Sequence, residues 1–180
     1  MLSKRKNVLV IFIAVLLFDF ILILLNLNSY YVTFLQSTGV IMPVLVTILS
    51  MYLVAAAFNV RKFWIITGAF AALILIGWLS LKPIFFEYSY DKVQAPNGSP
   101  SLVIEHRTAT LGETSHFYTF YRVTAIPIVM KKLNKDPVSI ITRGTNDDSL
   151  TVLGVENSKW SDQKVVFSSP YEEKRVEISY

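Results

Sequence analysis

Three long apolar runs, Val8 to Leu27, Val40 to Phe58 and Phe63 to Leu81, fill the first half of the chain and limit its folds more than any other feature. Each is roughly 20 residues long, and at about 1.5 Å rise per residue a helix of that length matches a hydrocarbon core of about 30 Å. The first run carries one charge, Asp19, and the other two have no ionisable group except Tyr52. The remainder has ordinary globular composition, so the 53% hydrophobic content and mean hydropathy of +0.47 come from blocks and not from a greasy core. The reading is three transmembrane helices, a helical hairpin or bundle, over residues 1–83 (spans 8–27, 40–58 and 63–81), followed by an all-β domain over 84–180.

Basic residues set the direction, because Lys and Arg are retained on the cytoplasmic side. Lys4, Arg5 and Lys6 precede the first run, Arg61 and Lys62 separate the second from the third, and the loop from Asn28 to Thr38 has no basic residue. The N-terminus is therefore expected inside, and an odd number of spans carries everything after Lys82 outside. Lys82 itself runs against the rule, one charge against five. The Asn26-Leu27-Asn28-Ser29-Tyr30 stretch lacks the small residues that a signal peptidase requires, so the first run reads as an uncleaved anchor. A turn of about four residues around Asn59 and Val60 makes the second and third runs an antiparallel pair.

A lone Asp19 near mid-bilayer costs roughly 2.5–3.5 kcal/mol on insertion scales, so something must compensate it. It is a candidate intramembrane polar site with three readings: a hydrogen bond to Thr47, Ser50 or Thr67 within its own bundle, a contact with a partner's helix, or proton or ion handling. Gly68, Ala72 and Gly77 form a small-residue stripe for helix packing, with Ala55, Ala56 and Ala57 as the simplest matching surface. Pro43 falls in the first turns of its run, where a missing N–H is tolerated. Trp64 at one end, and Trp78, Phe85, Phe86, Tyr88 and Tyr90 at the other, read as interfacial aromatic belts.

Beyond Phe85 the pattern becomes short alternating segments divided by Gly, Pro, Asn and Asp. Strands are expected at Phe85 to Val93, Ser101 to Arg107, His116 to Val123, Ile126 to Met130, Val138 to Thr142, Leu150 to Val155, Lys164 to Ser168 and Arg175 to Ser179. Pro96-Asn97-Gly98-Ser99-Pro100 is the clearest hairpin turn, and another falls at Leu111-Gly112-Glu113. His116 to Val123 has aromatics on both faces and should be central. Ile126 to Leu133 has a short helix as its alternative, since Pro127 suits a first turn. About seven or eight short strands argue for a small antiparallel sandwich or barrel.

Few chemical functions survive. There is no cysteine, which removes disulfides, thiolate metal sites and cysteine nucleophiles. From Glu87 onward eleven basic residues face twelve acidic ones, so the pI near 9.2 comes from the flanks of the apolar runs and gives no basic face for nucleic acid. The seven glycines are dispersed and build no phosphate loop, so no nucleotide or other cofactor is expected. His106 and His116 could join Glu105 or Glu113 at a metal, but Glu105 and His106 are strand neighbours and point to opposite faces, so no metal is expected. A wall- or lipid-directed hydrolase centred on either histidine has neither a Gly-x-Ser-x-Gly elbow nor an oxyanion cluster behind it, and no catalytic residue is assigned. Asn146-Asp147-Asp148 lacks the spacing of a calcium loop. Lys131, Lys132 and Lys135 are a candidate partner surface for anionic headgroups or wall polymers.

The stretch Ala95-Pro96-Asn97-Gly98-Ser99-Pro100-Ser101-Leu102-Val103-Ile104-Glu105, with the aromatic strand Phe117 to Tyr121, resembles small uncharacterised envelope proteins of Gram-positive bacteria, in which N-terminal spans precede an exported β-domain. The resemblance implies a multi-pass protein of the cell membrane with an extracytoplasmic domain, and it carries over no functional residue. Elimination then leaves two functions. One is a non-catalytic accessory or immunity-type protein whose β-domain binds an envelope protein or membrane-active peptide. The other is a small proton- or ion-coupled channel or transport component using Asp19.

Overall fold

The structure is a computed structural model describing residues 2–36, 38–85, 88–96, 98, 100–173 and 175–180, with the side chains of all of these except 2, 3, 62 and 79–85. Phe86, Glu87, Asn97 and Ser99 lie outside the described residues, as do the side chains of Lys62, Lys82 and Phe85. The chain forms two units: residues 1–28 with 34–85, and residues 29–33 with 86–180.

The first unit is helical: α1 is Leu2–Leu27, α2 Ile41–Ala57 and α3 Lys62–Phe85. As helices these runs close their backbone hydrogen bonds locally, which is the arrangement an apolar solvent demands. Pro43 is the third residue of α2, where no intrahelical N–H is lost. Asn59 has φ 53°, a left-handed conformation that asparagine tolerates, and it ends the α2 turn. Arg5, near the start of α1, lies 5.7 Å over the Phe58 ring just beyond the end of α2, so α1 and α2 run antiparallel with Arg5 and Arg61 at the same end.

Burial in this unit is inverted relative to a water-soluble bundle. Its one buried side chain among those described is Ser50, 5% exposed, while Leu17, Phe20, Ile23, Met51, Phe70 and Trp78 are among many exposed apolar residues. Among the described residues one helix, Lys4–Leu27, is long and apolar enough to cross a membrane by length and composition; Ile41–Ala57 and Phe63–Trp78 are shorter apolar helices. Of the three expected spans, one therefore has the length and composition of a crossing among the described residues.

The second unit holds two antiparallel sheets. β1 (Tyr30–Val32), β2 (Ser89–Gln94), β3 (Ser101–Leu111), β4 (Glu113–Val123), β5 (Val129–Lys132) and β6 (Val138–Thr142) form the larger, in the order β1-β5-β4-β3-β2 with β6 also on β4. A five-residue helix α4 (Ser149–Leu153) follows, and β7 (Lys159–Trp160), β8 (Lys164–Phe167) and β9 (Val176–Ser179) form the smaller sheet. Leu102, Ile104, Tyr118, Phe120, Ile140, Val152, Leu153, Val165 and Phe167 are fully buried in one core drawn from both sheets and α4, with Phe120 stacked on Phe167 at 5.5 Å. β4 is central, hydrogen-bonded to β3, β5 and β6, as its two-sided aromatic pattern requires. The β2–β3 hairpin pairs Gln94 with Ser101, and Gly98 turns it at φ 82°.

Several expectations need correction. The boundary is not a single point near residue 84: Tyr30–Val32, read as loop, is an edge strand on β5, where aromatic and β-branched residues favour extended backbone once a partner is present. Leu150 to Val155 is not a strand but α4 and a following 3₁₀ turn. Asp148 accepts a hydrogen bond from Leu150 N (3.0 Å) as its N-cap, and Gly154 closes it in the left-handed region. Of the two readings of Ile126 to Leu133 the strand holds, but over Val129–Lys132 instead of Ile126 to Met130, because Val129 N bonds Ile126 O in a turn before it. The domain is accordingly not all-β.

Candidate functional site

Asp19 on α1 faces α2. Its Oδ2 lies 2.5 Å from the Thr47 hydroxyl, which is also 2.9 Å from the Pro43 carbonyl, and Ser50 donates to Thr47 O at 2.7 Å. Oδ1 of Asp19 is buried and has no hydrogen-bond partner. Of the three in-bundle partners considered from sequence, Thr47 makes the contact, while Thr67 turns back to Phe63 O on its own helix. Of the small-residue stripe on α3, Gly68 and Gly77 are exposed, and a Cβ at either would meet no atom of another described helix within 4 Å, whereas Ala72 is partly buried.

The two histidines occupy different settings. His106 Nε2 lies 2.7 Å from Asp91 Oδ2 on the neighbouring strand. His116 is 3% exposed, with Nδ1 3.1 Å from Ser149 Oγ and Nε2 3.2 Å from Thr142 Oγ1; Tyr118 donates to Ser149 O at 2.7 Å. Ser149 is itself buried, and His116 engages two hydroxyls with no carboxylate on its second nitrogen, so the contact ties β4, β6 and α4 together without the acid of a catalytic triad. Among the described residues no three His, Cys, Asp or Glu side chains group as metal ligands.

Burial, with His106 adding to it and Asp148 opposing, lowers the His116 pKa below its ordinary 6.5. The unfolded chain then takes up a proton near pH 6.5 that the folded chain does not, so stability falls as pH drops through that value and levels off below the folded pKa. Denaturant unfolding at pH 7.5 and pH 5 should show this loss, and His116→Gln should remove part of it. An identical pH dependence in the variant would contradict the assignment.

The face of the larger sheet opposite the main core carries a second cluster that the sequence did not reveal. Val103, Tyr121 and Met130 are buried there with Tyr31, Tyr90 and Val123 packed around them, and Tyr31 meets Tyr121 edge-on at 5.3 Å. Tyr121 donates to Glu105 Oε2 at 3.0 Å. Burial first, then Glu105, pushes the hydroxyls of Tyr90 and Tyr121 well above their ordinary range, so both stay protonated donors toward this carboxylate. Arg107 lies over Phe117 at 4.3 Å and Tyr88 at 6.0 Å. Of the aromatic-belt residues, Tyr90 is on β2 in this cluster and Tyr88 directly precedes that strand. The available signal was the period-two spacing of Val103, Glu105 and Arg107.

The candidate lysines do not form one patch. Lys131 and Lys132 are strand neighbours on β5 and project to opposite faces, and Lys135 lies in the following turn, which Asn134 braces by accepting from Phe120 N at 2.7 Å. Lys131 is exposed, with its ammonium 5.8 Å over the Tyr30 ring. No protein-family model, curated protein or solved structure matches the chain.

Proposed function

We propose that the chain is a non-catalytic, multi-pass accessory or immunity-type protein of a Gram-positive cell membrane. Its N-terminus is cytoplasmic, and its β-domain, a small sandwich, is presented at the outer leaflet to bind an envelope protein or a membrane-active peptide. In this reading α1, α2 and α3 are three spans, the basic end with Arg5 and Arg61 stays inside, and the sheet-bearing segments emerge at the other side.

The observation carrying the reading is the inverted burial of the helical unit, with Ser50 inside and leucine, isoleucine and phenylalanine outside, which suits a lipid solvent. Because the chain has no cysteine, single substitutions report topology without background. Leu111→Cys should react with a membrane-impermeant maleimide on intact cells, and Val60→Cys only after permeabilisation. The reverse pattern would overturn the orientation. Extraction in mild detergent that recovers no stoichiometric protein or peptide would overturn the accessory role.

A further inference from the structure

The turn from β4 to β5 exposes all four of Ala125, Ile126, Pro127 and Ile128, with Ile126 at 59% and Ile128 at 56%. A single exposed isoleucine is ordinary, but two flanking a proline at the tip of a braced turn are an apolar projection. The bracing is local: Thr124 N bonds Val129 O at 3.1 Å, Val129 N bonds Ile126 O at 2.9 Å, and the Thr124 hydroxyl reaches Val129 O at 2.9 Å. Folding this turn leaves its isoleucines outside.

The same ribbon is bonded to the chain that leaves α1. Lys132 N donates to Ser29 O at 2.8 Å, and Thr33 N donates to Ile128 O at 2.9 Å. Ser29 is the second residue after Leu27, the last of α1. If α1 and α2 both cross the bilayer, the short segment joining them, Ser29 and Thr33 included, lies at the outer headgroup level, and so do its bonded partners, Lys132 at one end and Ile128 at the other. Tyr30 pairs with Lys131 across β1 and β5 with the ammonium over its ring, the aromatic and basic pairing that interfaces favour.

We propose that the turn Ala125–Ile128 inserts its two isoleucines into the outer leaflet of the membrane that holds α1, with Lys131 at the headgroups, and so docks the β-domain on lipid. This rests on the reading of α1 and α2 as spans. β4, eleven residues long, separates this turn from the exposed Leu111 tip by about 35 Å at roughly 3.3 Å per residue, so the tip serves as an internal reference remote from the turn.

The test uses the full chain in vesicles of palmitoyl-oleoyl phosphatidylcholine and phosphatidylglycerol, with a nitroxide on Ile126→Cys, Ile128→Cys or Leu111→Cys. All three positions are exposed, and thermal unfolding verifies that each variant folds. Collision with a water-soluble nickel chelate should be severalfold lower at 126 and 128 than at 111, while collision with lipid-dissolved oxygen is higher. Equal nickel accessibility at all three sites would overturn the proposal. So would shielding of 126 and 128 from both reagents, which would mean protein contact and not lipid. Loss of the chain from the vesicles in alkaline carbonate would instead overturn the spanning reading, so the two failures are distinguishable.

Discussion

Gly154→Ala is expected to destabilise the β-domain by on the order of 3–5 kcal/mol, a large share of what a domain of this size has. Gly154 sits at φ 80° and ψ 38°, where an L side chain alone costs roughly 1–2 kcal/mol. The larger effect is steric. A Cβ there would stand 2.1 Å from Ser168 O, 2.6 Å from Ser168 C and 3.1 Å from Ser169 N, all backbone. That backbone cannot yield without loss, because Ser169 Oγ bonds Val152 O at 2.6 Å on one side and Phe167 stacks on Phe120 on the other. Gly112→Ala is the internal control: its φ is 83°, but its would-be Cβ meets nothing within 4 Å, so only the conformational cost applies. Urea unfolding followed through Trp160, which packs near Tyr180, measures both variants. If Gly154→Ala loses no more than Gly112→Ala, the close approach of α4 to the segment after β8 is wrong.

Gly154 also shows where sequence reading stops. Over six residues an apolar segment such as Leu150 to Val155 fits period 2 as readily as period 3.6, so periodicity alone does not separate strand from helix there. The discriminating signals are the caps, Asp148 just before the segment and Gly154 within it. Where the chain carries its own turn chemistry, in the hairpin between β2 and β3 and at Gly112 between β3 and β4, the pairing of neighbouring strands is readable from local residues. That of β1 is not, because nothing in Tyr30–Val32 names β5 as its partner. The same limit applied to candidate sites. Strand alternation correctly separated Glu105 from His106, but their actual partners, Tyr121 and Asp91, depend on cross-strand register. Asp19 stood out as a buried-charge problem, and the choice of Thr47 over Ser50 or Thr67 was set by the packing of α1 on α2.

Thr47→Val should weaken the association of α1 and α2 by about 1–2 kcal/mol, near the top of what interhelical hydrogen bonds in bilayers supply. The substitution keeps the side-chain shape and removes the hydroxyl that meets Asp19 Oδ2; Oδ1 is already without a partner, so the whole carboxyl is then stranded between apolar helices. Stranding a polar group costs more than its hydrogen bond contributes when intact. Asp19→Leu should therefore be close to neutral, since it removes the polar group together with its need for a partner, and leaves the Thr47 hydroxyl its bond to Pro43 O. In the double variant the Thr47→Val cost should vanish, giving a coupling of about 1–2 kcal/mol in the cycle. Titration of the reconstituted variants with a denaturing detergent, read by a fluorophore pair on α1 and α2, measures it. Additive single effects would mean that Asp19 and Thr47 meet without depending on one another, and compensation of the carboxyl would then have to come from a partner outside this bundle.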